Sequence, residues 1–331
     1  SLGSFPQRDT YVRLIELCGD SGSELLRDAA LDTLENIADK YPVEREAGSF
    51  LDSKNADIRY NLYRLLIRLD SSMYNEPIAT QLHLSATAAR QKLPFSDRPI
   101  NIAAAIRALN AGGAREASAD ITALTEHPDA LVRTAVAESI GMLKPANGPD
   151  VIKHFAQQDR DADVRKAALT SMNAMLDNSF EDTLLTILKR TNYSGGEFLT
   201  AADRVIAAWM LSRLPAIGAP TKARLYAQIS SPVIATPMGP AYDSENVRNT
   251  ALWCLVINGK RYPNDAELRK QAKELFNMLI RNVEDVGSVP TSYVLNYYAY
   301  QARQFLNDAP IERRIVKPQK YKFNYRPAKK R

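Results

Sequence analysis

The chain is 331 residues long, 45% hydrophobic and 24% charged, a composition that supplies a core and excludes wholesale disorder. Its longest apolar stretches, Val205 to Leu211 and Leu252 to Ile257, fall far short of the roughly 20 residues that cross a bilayer, so no transmembrane segment is expected. The net charge of +5 belongs to one end: residues 311–331 hold nine Lys or Arg against the single acid Glu312, leaving 34 cations and 37 acids in residues 1–310.

Taken in chain order, residues 1–20 are expected to form a lead-in or capping helix, opening on Ser1-Leu2-Gly3-Ser4 as a processed end would. From there one phrase recurs: a turn residue, an aliphatic-Arg pair, then small and aliphatic residues at helical spacing. It appears at Ser23 to Leu34 around Leu26-Arg27, and at Asn55 to Leu66 around Ile58-Arg59. It is clearest at Asp129 to Ile140 around Val132-Arg133, and at Asp161 to Met172 around Val164-Arg165, 32 residues on. It returns at Ser244 to Leu255 around Val247-Arg248. Pro99 to Leu109 and Ala202 to Leu214 are apolar-periodic segments between these, read as lacking the aliphatic-Arg pair in register. Counting both, the unit recurs about seven times at spacings of roughly 32 to 44 residues, the range of helical-hairpin arrays.

Each phrase makes physical sense as an amphipathic helix. Val132, Ala135, Val136, Ser139, Ile140 and Leu143 form one stripe, and the small residues 135 and 139 admit a neighbouring helix. Asp129 and Asp161 are placed to cap the helix start. A preceding helix is available at 114–125, 149–157, 180–189 and 221–229. Residues 191–198, with Gly195-Gly196, read as a flexible connection, and 230–243, with Pro232, Pro237, Gly239 and Pro240, as a long irregular insertion. Helices over 266–283 and 291–306 are expected to cap the array within 264–309, and 310–331 to be an extended or disordered tail.

The Asp-x-x-Val-Arg-x-x-Ala phrase at 129 and 161 resembles the second helix of a HEAT or HEAT-like repeat, in the armadillo-related superfamily. The pattern extends over about residues 20 to 285 and is a resemblance of fold alone. It implies an all-α, right-handed α-solenoid of about seven hairpins, with repeats over 21–263 and second helices lining a concave surface. It also implies that Arg133 and Arg165, with Arg59 and Arg248, form a ladder with the turn acids Asp129, Asp161 or Asp163 of adjacent units. Superimposing the copies places Tyr60, Thr134, Lys166 and Asn249 in one concave-facing row, and Arg64, Glu138, Thr170 and Trp253 in another. Trp209 falls on the apolar stripe of its helix and reads as core, and Trp253 as buried beneath the 230–243 insertion.

Residues able to do chemistry are sparse. His83, His127 and His154 lack a His or Cys partner at helical spacing, and Cys18 and Cys254 lie 236 positions apart, so no metal or cofactor is expected. Both cysteines read as small apolar fillers, and such thin cysteine use leans towards an extracytoplasmic compartment. There is no nucleophile elbow, Walker loop or dinucleotide fingerprint, and no enzyme is expected. The expected function is a non-enzymatic scaffold or assembly component whose helical surface holds a protein.

The tail offers a second contact. Lys317, Lys320, Lys322, Arg326, Lys329, Lys330 and Arg331 interleave with Tyr321, Phe323 and Tyr325, a composition suited to single-stranded nucleic acid or an anionic surface. The competing reading is therefore nucleic-acid binding of the HEAT-like DNA glycosylase kind. It needs a positive stripe such as Arg107, Lys166 and Lys189 to offset the net negative body.

Overall fold

The structure, a computed structural model, describes residues 8–190, 201–280 and 293–308, apart from positions 21, 39, 70 and 237 and the side chain at 293. The expected connection at 191–198 and the basic tail lie outside the described residues. Those described are all-α but for one two-stranded sheet. They fall into two compact units, Ser1–Thr221 and Lys222–Arg331.

The first unit contains α1 (Arg8–Leu17), α2 (Glu24–Ala38), α3 (Val43–Gly48), α4 (Ala56–Arg68), α5 (Asn75–Gln91) and α6 (Pro99–Ala111). It continues with α7 (Ser118–Ala123), α8 (Ala130–Leu143), α9 (Gly148–Gln158), α10 (Ala162–Met175), α11 (Glu181–Lys189) and α12 (Ala201–Arg213). Helices α2, α4, α6, α8, α10 and α12 pack in succession as one layer, and α1, α5, α7, α9 and α11 cover it from the other side. Each helix thus buries its apolar stripe against a partner from its own pair and a neighbour from the next, which no single pair could do alone.

Local sequence sets where the layer helices start. Asn55 accepts hydrogen bonds from the Asp57 and Ile58 N–H groups, Asp129 from Leu131, and Asp161 from Asp163 and Val164. Pro99 opens α6, where its missing N–H costs nothing. Helices α8 and α10 stop at Lys144 and Leu176, both in the left-handed conformation.

Packing along the layer is tight because its contact positions are small. A Cβ on Gly141 would lie 2.6 Å from the Ser171 Oγ and 2.9 Å from the Ser171 Cα, so α8 and α10 nearly touch backbones there. Buried polar groups then fix the register. The Asn61 amide donates to the Cys18 carbonyl at 2.7 Å, that of Asn101 to Ala56 at 2.9 Å, and the Ser171 hydroxyl to Ala137 at 2.6 Å. The apolar core between the layers includes Phe155 and Phe180, each essentially inaccessible and each stabilising by about 1.5–3 kcal/mol.

Helix α13 (Ala219–Ser230) runs across the division into the second unit, which holds β1 (Ile234–Thr236), β2 (Gly239–Ala241), α14 (Glu245–Arg261), α15 (Ala266–Leu279) and α16 (Tyr293–Leu306). Helix α14 packs on both α15 and α16. The 230–243 segment, read as irregular from its prolines, is instead an antiparallel hairpin with Ile234 opposite Ala241. Gly239, at φ +111, supplies a conformation few other residues adopt. Asp243 accepts from Gln228, and Tyr242 lies 4.9 Å from the Arg248 guanidinium, so the hairpin is tied to its flanking helices.

Candidate interaction face

Counting from the first helical residue aligns the layer helices. The fourth position is Arg27, Arg59, Arg133, Arg165 and Arg204 in α2, α4, α8, α10 and α12, with Ile102 in α6. Arg204 is therefore in register after all; Asp203 has replaced the aliphatic residue and hidden the phrase.

These arginines form inter-unit pairs, but with acids other than those expected. Arg133 grips Asp159 with two bonds of 2.7 and 3.0 Å and donates to the His127 and Pro128 carbonyls. Arg165 meets Asp203 at 3.2 Å and donates to the Asp159 and Arg160 carbonyls, while Arg59 meets Asp97 at 2.8 Å. Each ties the turn before its own helix to an acid of the next unit. Asp129 and Asp161 are not ladder acids, because their carboxylates are committed to helix N–H groups. Burial opposes the Asp159 charge, yet bonds from Arg133 and the Asp161 N–H outweigh it and hold its pKa below the usual carboxylate range. Arg248 departs from the pattern, its Nε donating to the Ile229 carbonyl; burial lowers its pKa.

The second, fifth, ninth and thirteenth positions point away from the covering helices. The ninth row, from α2 to α12, reads Asp32, Arg64, Arg107, Glu138, Thr170 and Trp209, of which Asp32, Thr170 and Trp209 are exposed and the other three partly so. The fifth row reads Asp28, Tyr60, Ala103, Thr134, Lys166 and Val205; the second contributes Leu25, Asp57, Ile100, Leu131, Asp163 and Ala202. The thirteenth contributes Asn36, Arg68, Ala111, Met142, Ala174 and Arg213. These four rows carry five acids and five bases, so the face is electrically neutral.

Most of the charge is spent internally. Arg64 pairs with Asp28, Arg68 with Asp32 and Glu35, Arg98 with Asp57, and Arg107 with Glu138. Tyr60 lies 5.6 Å beneath the Arg64 guanidinium. Large apolar groups remain uncovered, with Met142 61% and Trp209 45% exposed, and Ile100 and Leu131 exposed near the starts of α6 and α8. A recess of about 480 Å³ opens between α6, α8 and α10, its polar lining being Arg107, Thr134, Glu138, Asp161, Asp163, Lys166 and Thr170.

Of the expected row residues, Glu138, Lys166 and Thr170 thus meet at one recess, and Tyr60 and Arg64 share their face farther along. Asn249 and Trp253 occupy equivalent positions of α14 in the second unit, both half-buried. Trp253 packs edge-on against Phe305 of α16, ring centres 5.7 Å apart. Trp209, expected in the core, is on the face, its ring 5.5 Å from the Arg213 guanidinium. The apolar pattern of α12 and α8 does not mark Trp209, Arg213 or Met142 as face residues; the in-register Arg204 is the signal that places Trp209 and Arg213 there. The positive stripe proposed for nucleic acid does not form, since Arg107 pairs with Glu138 and Lys189 sits on α11 in the covering layer.

Cys18, Cys254 and His127 are buried, whereas His83 faces Asp120 and His154 faces Glu126 at the surface. Cys18 and Cys254 are buried free thiols, Cys18 pushed up to about 11 and Cys254 also raised, both chiefly by burial. His127 accepts the Asp129 N–H on Nδ1 and lies tilted against Phe95 with ring centres 4.2 Å apart, and burial lowers its pKa. Among the described residues no group of three or more His, Cys, Asp or Glu side chains is placed to hold a metal, and no helix is long and apolar enough to cross a membrane.

Residues 88–173, spanning α6 to α10, match the family model for HEAT repeats. The chain thus resembles the HEAT-repeat family in the segment where its phrase is clearest. No curated protein matches the sequence. Among solved structures, human deoxyhypusine hydroxylase in complex with glycerol is 14% identical, with 91% of this chain and 97% of that chain covered and a TM-score of 0.33. At that score the likeness carries no argument about this chain.

Proposed function

We propose that this chain is a non-enzymatic interaction scaffold, and that the exposed face of the layer α2 to α12 is where a protein partner docks. The observation that carries the reading is the character of that face: charge-neutral overall, with Arg64, Arg68 and Arg107 paired to its own acids, and exposed apolar groups at Met142, Trp209, Leu131 and Ile100. Aromatic residues, Met and Arg are the types enriched where proteins meet. A nucleic-acid groove needs the opposite, a clustered positive field. On this reading the hairpins continue through the second unit as about seven repeats, with α15 and α16 as a cap and the basic tail as an auxiliary contact.

Affinity capture from native lysate tests the reading, using the full chain, a face variant (Met142→Glu with Trp209→Ala) and a tail variant (Lys320→Gln, Lys322→Gln, Arg326→Gln). A discrete protein retained by the parent and tail variant but lost by the face variant is expected. Nuclease-sensitive capture that falls steeply with salt and ignores the face variant would overturn it.

A further inference from the structure

Helix α5 is tied to its neighbour on one flank and left open on the other. On the side facing α7, His83 and Arg90 both reach Asp120, at 2.9 and 2.6 Å. On the opposite flank Pro77, Thr80, Gln81 and Leu84 fall at i, i+3, i+4 and i+7 and form one stripe. The neighbour there is α3, six residues long against seventeen in α5, so it ends before it can cover that stripe. The two meet where Tyr74 lies over Gly48, whose added Cβ would fall 2.1 Å from the ring. Beyond that contact a crevice of about 350 Å³ opens, with Ser49, Leu51 and Asp52 on one wall and Pro77, Thr80 and Gln81 on the other. Leu84 continues the stripe and is left 56% exposed.

We propose that residues 1–7, which precede α1, lie along this crevice as an extended strap, with Phe5 between Leu51 and Pro77 and Leu2 over Leu84. The place where that segment joins the described chain carries the proposal. Arg8, the first residue of α1, pairs with Glu46 of α3 at 2.9 Å, and the Glu46 carbonyl accepts the Ser49 hydroxyl at 2.7 Å. The segment therefore departs within one helical turn of the crevice wall. Seven residues at roughly 3.3 Å each reach about 23 Å, whereas the stripe from Pro77 to Leu84 is about 10 Å long at 1.5 Å per residue.

The chemistry of the two surfaces matches. Ser1-Leu2-Gly3-Ser4-Phe5-Pro6-Gln7 carries no charged side chain, and Asp52 is the one charged residue lining the crevice. Pro6 disfavours a helical backbone at Phe5, so the strap leaves α1 extended. Leu2 and Phe5 are three positions apart, the repeat of a polyproline helix, which turns both side chains to one side about 9 Å apart. That spacing is close to the length of the stripe they meet.

Disulfide trapping in the full chain tests this, because the rate of closure reports effective concentration. Phe5→Cys is combined either with Thr80→Cys inside the crevice or with Arg45→Cys, exposed on α3 beside Glu46 but outside the crevice. Cys18 and Cys254 are buried and do not compete. Under mild oxidation the Thr80 pair should close about tenfold or more faster than the Arg45 pair, within one chain as judged by mass spectrometry. Independently, Leu2→Ser with Phe5→Ser should speed amide exchange over 48–52 and 77–84 by about tenfold and leave α8 and α10 unchanged. Thr80 and Arg45 are exposed, and circular dichroism checks that every variant keeps its helices. Equal closure of the two pairs, closure of neither, or exchange unchanged by the serine variants would overturn the strap. A Thr80 pair that closes only between chains would also overturn it, and would give the crevice to a second copy.

Discussion

Arg133 is 8% exposed and the Asp159 side chain 6%, so neither charge is solvated by water and each depends on the other. Asp159→Ala leaves a buried guanidinium with two carbonyl partners and no counter-charge, and is expected to cost about 3–5 kcal/mol in urea denaturation. Asp161→Ala, two residues on, removes only a helix cap and should cost about 1 kcal/mol; equal losses at the two sites would contradict the ladder as drawn. The caps were legible in the sequence because a cap and its N–H groups are neighbours in the chain. The Arg partners were not, because a carboxylate 26 or 38 residues away is found only when the turns are brought together. His127 adds a pH dependence. Its folded pKa lies below the ordinary value because burial disfavours the imidazolium, with Asp129 opposing and Arg133 assisting. At high pH the ring is neutral folded and unfolded; as pH falls below about 6.5 the unfolded chain binds the proton first, so stability is lost as pH drops towards the folded pKa. His127→Asn keeps an acceptor for the Asp129 N–H and removes the titration, so its urea midpoint should vary less with pH in this window than the parent's. Asp159 also loses stability on acidification, but only from the carboxylate range downward, so the two contributions separate along the pH axis.

Between helices the controlling quantity is how closely backbones approach. Gly141→Ala would gain up to about 1 kcal/mol of helix propensity in isolation. Here the added methyl meets the Ser171 Cα as well as its side chain, so α8 and α10 must part, and the net effect should be a loss of about 1–3 kcal/mol. A stabilised Gly141→Ala protein in thermal denaturation would show that this contact is looser than described. Most helices were legible as periodic apolar stripes bounded by caps, since periodicity is a local property. The hairpin at 234–241 was not: strands of three residues carry too little alternation to outweigh the prolines around them. Trp209 was misplaced for a related reason. Helix α12 buries Ala207, Ala208, Met210 and Leu211 around it, so hydrophobicity alone could not tell a face residue from a core one. Its position relative to Arg204 settles the matter.

At the scale of the molecule, a layer of stacked helices converts a repeated phrase into rows of exposed side chains, and the chemistry of those rows decides what the surface can hold. The repeated phrase and its helices gave the fold class from sequence, but the neutrality of the face emerged only when cross-helix pairs could be assigned. The basic tail dominated the whole-chain charge and drew attention to nucleic acid, whereas the described face has no excess of cations to offer phosphate. The account stands or falls on which surface touches a partner. A photo-crosslinking amino acid placed at 209 or 142 on the exposed face, and at 150 on the covering helix α9 as a control, reads this directly in native lysate. The prediction is the same discrete protein adduct from 209 and 142, absent from 150. Adducts to nucleic acid at 209 and 142, or protein adducts from 150 alone, would contradict it.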